Sequence, residues 1–127
     1  MRVRALKSIV CAGAFAAVVT AAASSASAKT FVCSPTIIGV FVDRIAVQCT
    51  ANTTDTHTAA NGSTVTDTVK FFAAQTARDQ QWAARVLATV TTALSTGRTV
   101  IIDYFAGQGT GGCLVTDCRD IDFVRLQ

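Results

Sequence analysis

Residues 76–97 read Thr-Ala-Arg-Asp-Gln-Gln-Trp-Ala-Ala-Arg-Val-Leu-Ala-Thr-Val-Thr-Thr-Ala-Leu-Ser-Thr-Gly. This stretch decides the fold, because it is the clearest helix in a chain otherwise patterned as strands. Trp82, Val86, Val90 and Leu94 recur every four residues, and Ala83, Leu87 and Ala93 widen the stripe into an apolar face. Arg78, Gln81, Arg85, Thr92 and Thr96 fall on the opposite face. Thr76 with Asp79 three residues later resembles a capping box, the hydroxyl accepting a free backbone N–H. Gly97 is placed to end the helix, since it takes the left-handed conformation without steric cost.

On either side of this helix the pattern changes to that of strands. Towards the N-terminus, Thr36 to Val42 is a β-branched run that breaks at Asp43-Arg44. Ile45, Val47 and Cys49 then alternate with Ala46 and Gln48, as a half-buried strand requires, so the two runs read as a hairpin. Thr50 to Ser63 turns polar and reads as a surface loop. Thr64 to Ala73 returns to strand character through Val65, Val69 and Phe71. Beyond the helix, Arg98 to Phe105 is a strand, Ala106 to Gly112 a glycine-rich loop, and Ile121 to Leu126 a last strand. The expected fold is therefore mainly β with one helix, in the order β-β-β-α-β-β. That order fits a five-stranded OB-fold-like barrel with the helix as its plug. An α+β sandwich with the helix packed across an open sheet gives the same order.

The N-terminus reads as an export signal. Arg2, Arg4 and Lys7 precede an apolar stretch from Ile9 to Ala23, and Ala26-Ser27-Ala28 is a small-x-small cleavage site. An uncut anchor of the same length could span a bilayer, but the weakly apolar Ala and Ser and the cleavage signal favour removal. The expected organisation is a leader over 1–28 and one domain over 29–127, with a secreted or periplasmic location and no membrane contact after cleavage. The whole chain has 11 Lys and Arg against 8 Asp and Glu. Three of those bases lie in the leader, so the remainder is formally neutral. That argues against nucleic acid as a partner, since binding its phosphates calls for excess positive charge on the folded domain.

Outside the leader stand Cys33, Cys49, Cys113 and Cys118. An even count in an exported chain points to two disulfides, with three connectivities open. The short, glycine-flanked spacing favours Cys113–Cys118, leaving Cys33–Cys49 to tie the first hairpin near its open end. The spacings fit no common zinc pattern, and no metal or other cofactor is expected.

No catalytic constellation is evident. His57 is the only histidine and reads as a solvated loop residue without a nucleophile to serve. Gly107 to Gly112 superficially resembles a phosphate-binding loop but has no helix after it, which such a loop needs. Asp117, Asp120 and Asp122 could pair for hydrolysis or calcium, yet Arg119 and Arg125 beside them explain them as surface charge pairs. Asn52-Thr-Thr54 and Asn61-Gly-Ser63 are glycosylation sequons, meaningful only in a eukaryotic host. Trp82, Tyr104, Phe105 and Phe123 are candidates for an aromatic platform, with core the default for Trp82 and Tyr104.

Val69 to Leu126 resembles the binding subunit of subtilase cytotoxin and of related pertussis-like toxins with five B subunits. The resemblance lies in the strand Val69-Lys-Phe-Phe-Ala-Ala74, in the helix with Ala83, Leu87 and Ala93, in Ser95-Thr96-Gly97-Arg98-Thr99-Val100, and in Cys113-x4-Cys118 before the last strand. It implies an OB barrel, glycan recognition by a ring of subunits, a homo-oligomeric (pentameric) partner state and no enzymatic activity. In those subunits the sugar-contacting serine precedes the first strand pair. Only Lys29 to Pro35 precedes it here, so no binding residue is carried over. The other class of partner is an envelope or host protein, bound by a stand-alone structural or inhibitor-like protein.

Overall fold

The computed structural model describes residues 28–59, 61–109, 112–114 and 116–127. The leader expected over 1–28 therefore lies, but for Ala28, outside the described residues. The elements are β1 (Ala28–Cys33), β2 (Pro35–Val40), β3 (Arg44–Thr58), β4 (Thr64–Gln75), α1 (Gln80–Thr96), β5 (Val100–Phe105) and β6 (Cys118–Leu126). Among the described residues no helix is long and apolar enough to cross a membrane.

The protein is mainly β with one helix, as expected, but the closed five-stranded barrel is not what forms. The six strands make an open sheet in the order β1-β5-β6-β4-β3-β2. All pairs are antiparallel except β4 with β6. The additional strand is β1, and Ser34-Pro35 explains the break behind it. Proline has no N–H to give a ladder and restricts the residue before it. Up to Cys33 the chain pairs with β5, and from Pro35 it pairs with β3. Two consecutive strands thus occupy the two edges of the sheet. The helix packs across it, as in the alternative weighed from the sequence.

A second correction concerns Thr50 to Ser63, expected to be a loop. β3 runs on to Thr58 through a register shift between Gln48 and Thr53, and β4 begins at Thr64. Thr54, Thr56 and Thr58 stand opposite Thr68, Thr66 and Thr64. β-branched threonines suit a pleated surface as well as valines do, so a polar segment can still be a strand. At the tip, Gly62 takes φ 81° and the Asn61 side chain accepts from the Ser63 N–H.

The helix begins slightly later than the sequence suggests. Asp79 itself is the N-cap, its carboxylate accepting from the Trp82 N–H at 2.9 Å. The Thr76 hydroxyl instead donates to the Val42 carbonyl at 3.0 Å, tying the helix entry to the β2–β3 turn. Gly97 ends the helix at φ 65°, as expected. Ala83, Val86, Val90 and Ala93 are buried. Trp82 is only partly buried and Leu94 is exposed. At 3.6 residues per turn a strict four-residue spacing drifts round the helix, so the ends of the series leave the core.

This face meets Ile45, Val47, Phe72, Val100, Ile102 and Ile121 of the sheet, with Tyr104 beyond them. Each such side chain contributes roughly 1.5–3 kcal/mol by leaving water. Cys33–Cys49 lies within this core and Cys113–Cys118 beside the last strand, with Cα separations of 5.2 and 5.3 Å. Both favoured pairings are therefore present.

Candidate functional site

The outer face of β2, β3 and β4 carries a groove of about 410 Å³. Strand alternation builds it. Ile45, Val47 and Cys49 point to the core, so Arg44, Ala46 and Gln48 point outward with Phe71 of β4. Gly39 stands directly opposite Ala46, and these two small residues keep the floor low. Phe41 rises from the β2–β3 turn as one wall, and its ring folds back so closely that a Cβ at Gly39 would lie 2.8 Å from it. The opposite wall is formed by residues 112–114 and 117–118, which bring Leu114, Asp117 and the Cys113–Cys118 bridge to the rim.

The polar groups of the rim are already ordered. The Arg44 guanidinium donates to Asp43 at 2.9 and 3.1 Å and lies 4.6 Å from the Phe41 ring centroid. Asp117 accepts both backbone N–H groups of Lys70 and Phe71 at its carbonyl, 3.0 and 2.6 Å, which fastens that wall to β4. Apolar residues beside the groove are unusually open to water, with Val40, Phe41 and Val42 exposed by 68%, 50% and 102% and Leu114 by 69%.

At the other end of the sheet, inside rather than outside, lies a buried ionic cluster. Asp55, Asp67 and Arg119 are buried there. Arg119 donates from Nε to Asp55 and from Nη2 to Asp67, each at 3.0 Å, and from Nη1 to the Cys118 carbonyl at 3.1 Å. Lys29 of β1 pairs with the other oxygen of Asp55. The Gly107 N–H completes that carboxylate at 3.2 Å. Burial pushes the Asp55 carboxyl up, but hydrogen bonds from Lys29, Arg119 and Gly107 outweigh it and hold the group below its ordinary value. Tyr104, above the cluster, is raised by burial and then by the Asp55 charge.

His57 faces this cluster, 3.8 Å from Asp67, and its Nδ1 has no hydrogen-bond partner among the described residues. Its ring presses on Gly107, where a Cβ would approach within 2.7 Å. The solvated loop position expected for His57 is thus replaced by a half-buried one on β3. Arg119, expected to pair with surface acids, is wholly internal.

The remaining candidates do not converge. Asp120 accepts from Gln75 at 3.0 Å, and burial raises its pKa. Asp122 is exposed where β6 shifts register, and no metal-holding cluster occurs among the described residues. Phe123 is exposed, Phe105 half-buried, and Tyr104 is core, packed edge-on to Phe72 at 5.3 Å. Trp82 borders a separate shallow hollow of about 220 Å³ with Arg78 and Arg85. The aromatic residues that flank the groove, Phe41 and Phe71, had looked like ordinary strand positions. Gly39 within a β-branched run and an apolar Leu114 inside a polar loop were the available signals.

No family model, curated protein or solved structure matches this chain. What it binds has to be argued from the groove.

Proposed function

We propose that this chain is a secreted or periplasmic, non-enzymatic binding module whose ligand seats in the groove between the outer face of β2–β4 and the wall carrying Leu114, Asp117 and the Cys113–Cys118 bridge. The observation that carries the proposal is the shape and lining of that groove. It is large enough for a small ligand, mostly apolar, and edged by a few fixed polar groups, which is how such sites are generally built. The two disulfides are consistent with an oxidising compartment.

A glycan is the ligand class of the first reading. One face of a pyranose ring is apolar and suits Phe41 and Phe71, while its hydroxyls can reach Gln48 and Asp117 at the rim. The sequence resemblance to toxin binding subunits points to the same class and to a ring of copies, although the closed barrel that it also implies does not form. The test is a glycan array with the oxidised protein, read beside its native mass. Sugar binding by a pentamer, weakened by Phe71→Ala, is the expected result. A sugar-blind monomer overturns it. The second reading, a protein partner, is favoured by the exposed run Val40-Phe41-Val42 beside Leu114, which offers more apolar surface than a sugar needs. Co-purification of one envelope protein, lost on Leu114→Asp, is its expected signature.

A further inference from the structure

We infer that the crevice between the start of α1 and the middle of β6 is a second binding site, which takes a small ring bearing one carboxylate. Arg78 and Arg85 hold the carboxylate and Trp82 carries the ring. The site is separate from the groove and does not depend on it. Its hollow measures about 220 Å³ and is lined by Arg78, Asp79, Trp82 and Arg85 from the helix side, and by Ile121 and Asp122 from the sheet. Sites for drug-sized ligands run to about 300–1,000 Å³, so this one has room for little more than a single ring.

The local sequence sets the lining. Trp82 and Arg85 are three residues apart on the helix and therefore neighbours on one face. The Arg85 guanidinium carbon lies 5.8 Å from the indole ring centroid. Arg78 stands one residue before the N-cap Asp79 and approaches from the helix entry. Trp82 packs against the core but is only half-buried, and the buried Ile121 gives the hollow an apolar base.

The charges around the hollow leave a place for an anion. Among the described residues neither guanidinium has a hydrogen bond or a carboxylate within ion-pair distance, although three acids stand near. Asp79 turns its carboxylate to the Trp82 N–H at 2.9 Å, and Asp120 accepts from Gln75 at 3.0 Å. Burial raises the Asp120 carboxyl and the Arg78 charge works against that, so the two sense each other without bonding. Asp122 is exposed. A guanidinium presents a planar fork of donors that matches a carboxylate, and here two forks are left unoccupied by internal acids. The apolar indole beside them suits a ring. Two bases against Asp79 and Asp122 make the lining formally neutral, so a second negative charge on the ligand would meet those acids rather than a further base.

The experiment uses the oxidised full chain and the emission of Trp82, its one tryptophan. The indole Nε1–H resonance of nitrogen-15-labelled protein is the second readout. Cyclohexanecarboxylate should bind saturably, with acetate, cyclohexanol and inorganic phosphate each at least about tenfold weaker. Arg78→Gln and Arg85→Gln should each weaken binding by about tenfold, the scale of a lost charge-assisted hydrogen bond. Arg85→Lys should not restore it, because an ammonium keeps the charge but loses the fork. Both arginines are exposed, so these variants should melt like the parent. Glucuronate bound as well as cyclohexanecarboxylate assigns the hollow to an acidic sugar, and a much weaker response assigns it to an apolar acid. Silence of both signals towards cyclohexanecarboxylate overturns the site. So does binding that survives in the Arg78→Gln/Arg85→Gln double variant, or equal affinity for acetate. Phe71→Ala should leave this binding unchanged; its loss there would place the acid in the groove and overturn the second site while the groove stands.

Discussion

Replacing Arg119 by Met should be among the most damaging single changes available in this chain. The guanidinium is fully buried and satisfies two carboxylates at once, Asp55 and Asp67, at 3.0 Å each. Methionine fills similar space but leaves Asp67, among the described residues, facing only His57 at 3.8 Å, with little solvent to replace the lost partner. Breaking a buried pair from one side costs about 3–5 kcal/mol, a large share of the roughly 5–15 kcal/mol that holds a domain together. At about 4–8 °C per kcal/mol, even the lower bound lowers Tm by roughly 12–24 °C. Urea unfolding at neutral pH is the assay, with the midpoint falling and the slope unchanged. The triple variant Asp55→Leu/Asp67→Leu/Arg119→Met should recover most of the loss, because desolvation offsets much of what the pairs contribute. Lys29 is part-exposed and can turn its ammonium to water there. A loss below about 1 kcal/mol for Arg119→Met, the level of a surface ion pair, would show that the cluster is not dry and refute the reasoning.

The same cluster sets an acid limit. The folded-state pKa of Asp55 lies below its unfolded value, so its contribution is complete above about pH 4 and disappears as pH falls through the folded value. Asp55→Asn should flatten that arm of a stability–pH curve while lowering stability near neutrality; an unaltered acid arm would assign the loss to other groups. Asp120 has the opposite sign, since burial raises it, and Asp120→Asn should leave stability at neutral pH equal or higher, as read by thermal melts. Gly39→Val should push the Phe41 ring off the sheet and crowd the groove, reducing binding of the apolar dye anilinonaphthalene sulfonate with a melting temperature that changes little. Asp79→Ala should cost about 0.5–2 kcal/mol in urea, the value of an N-cap, whereas Thr76→Ala should be smaller because its hydroxyl does not cap the helix.

Helix α1 was legible because its period of apolar residues is local, and Gly97 marked its end without ambiguity. Its beginning was less so: the residue pattern assigned the cap to the Thr76 hydroxyl, but the Val42 carbonyl of the β2–β3 turn claims that hydroxyl and Asp79 caps instead. The alternation of Ile45, Val47 and Cys49 placed the first half of β3 correctly for the same local reason. The pairing of the first two strands is not local. The segment from Lys29 to Val40 carries nothing but Ser34-Pro35 to show that its halves pair with strands far apart in sequence.

The polar half of β3 was misread because charged side chains normally face water, and an alternation of threonine with aspartate and histidine therefore looks like a loop. Here Thr54, Thr56 and Thr58 face outward and Asp55 and His57 face inward. That inversion is tolerable only because Lys29, Asp67 and Arg119 arrive from β1, β4 and β6 to meet them. Charges so far apart in the chain can be paired only once the sheet has formed, so the cluster cannot initiate folding and instead selects the register that completes it. A one-residue slip of β3 against β4 would turn Asp55 outward and leave Arg119 uncompensated in the interior. The apolar end of the core supplies most of the driving force, and the ionic end discriminates between registers that the repeated threonines alone would leave nearly equivalent. Separation of those two tasks also explains why the outer groove can carry small residues such as Gly39 and Ala46, since neither force nor register depends on that face.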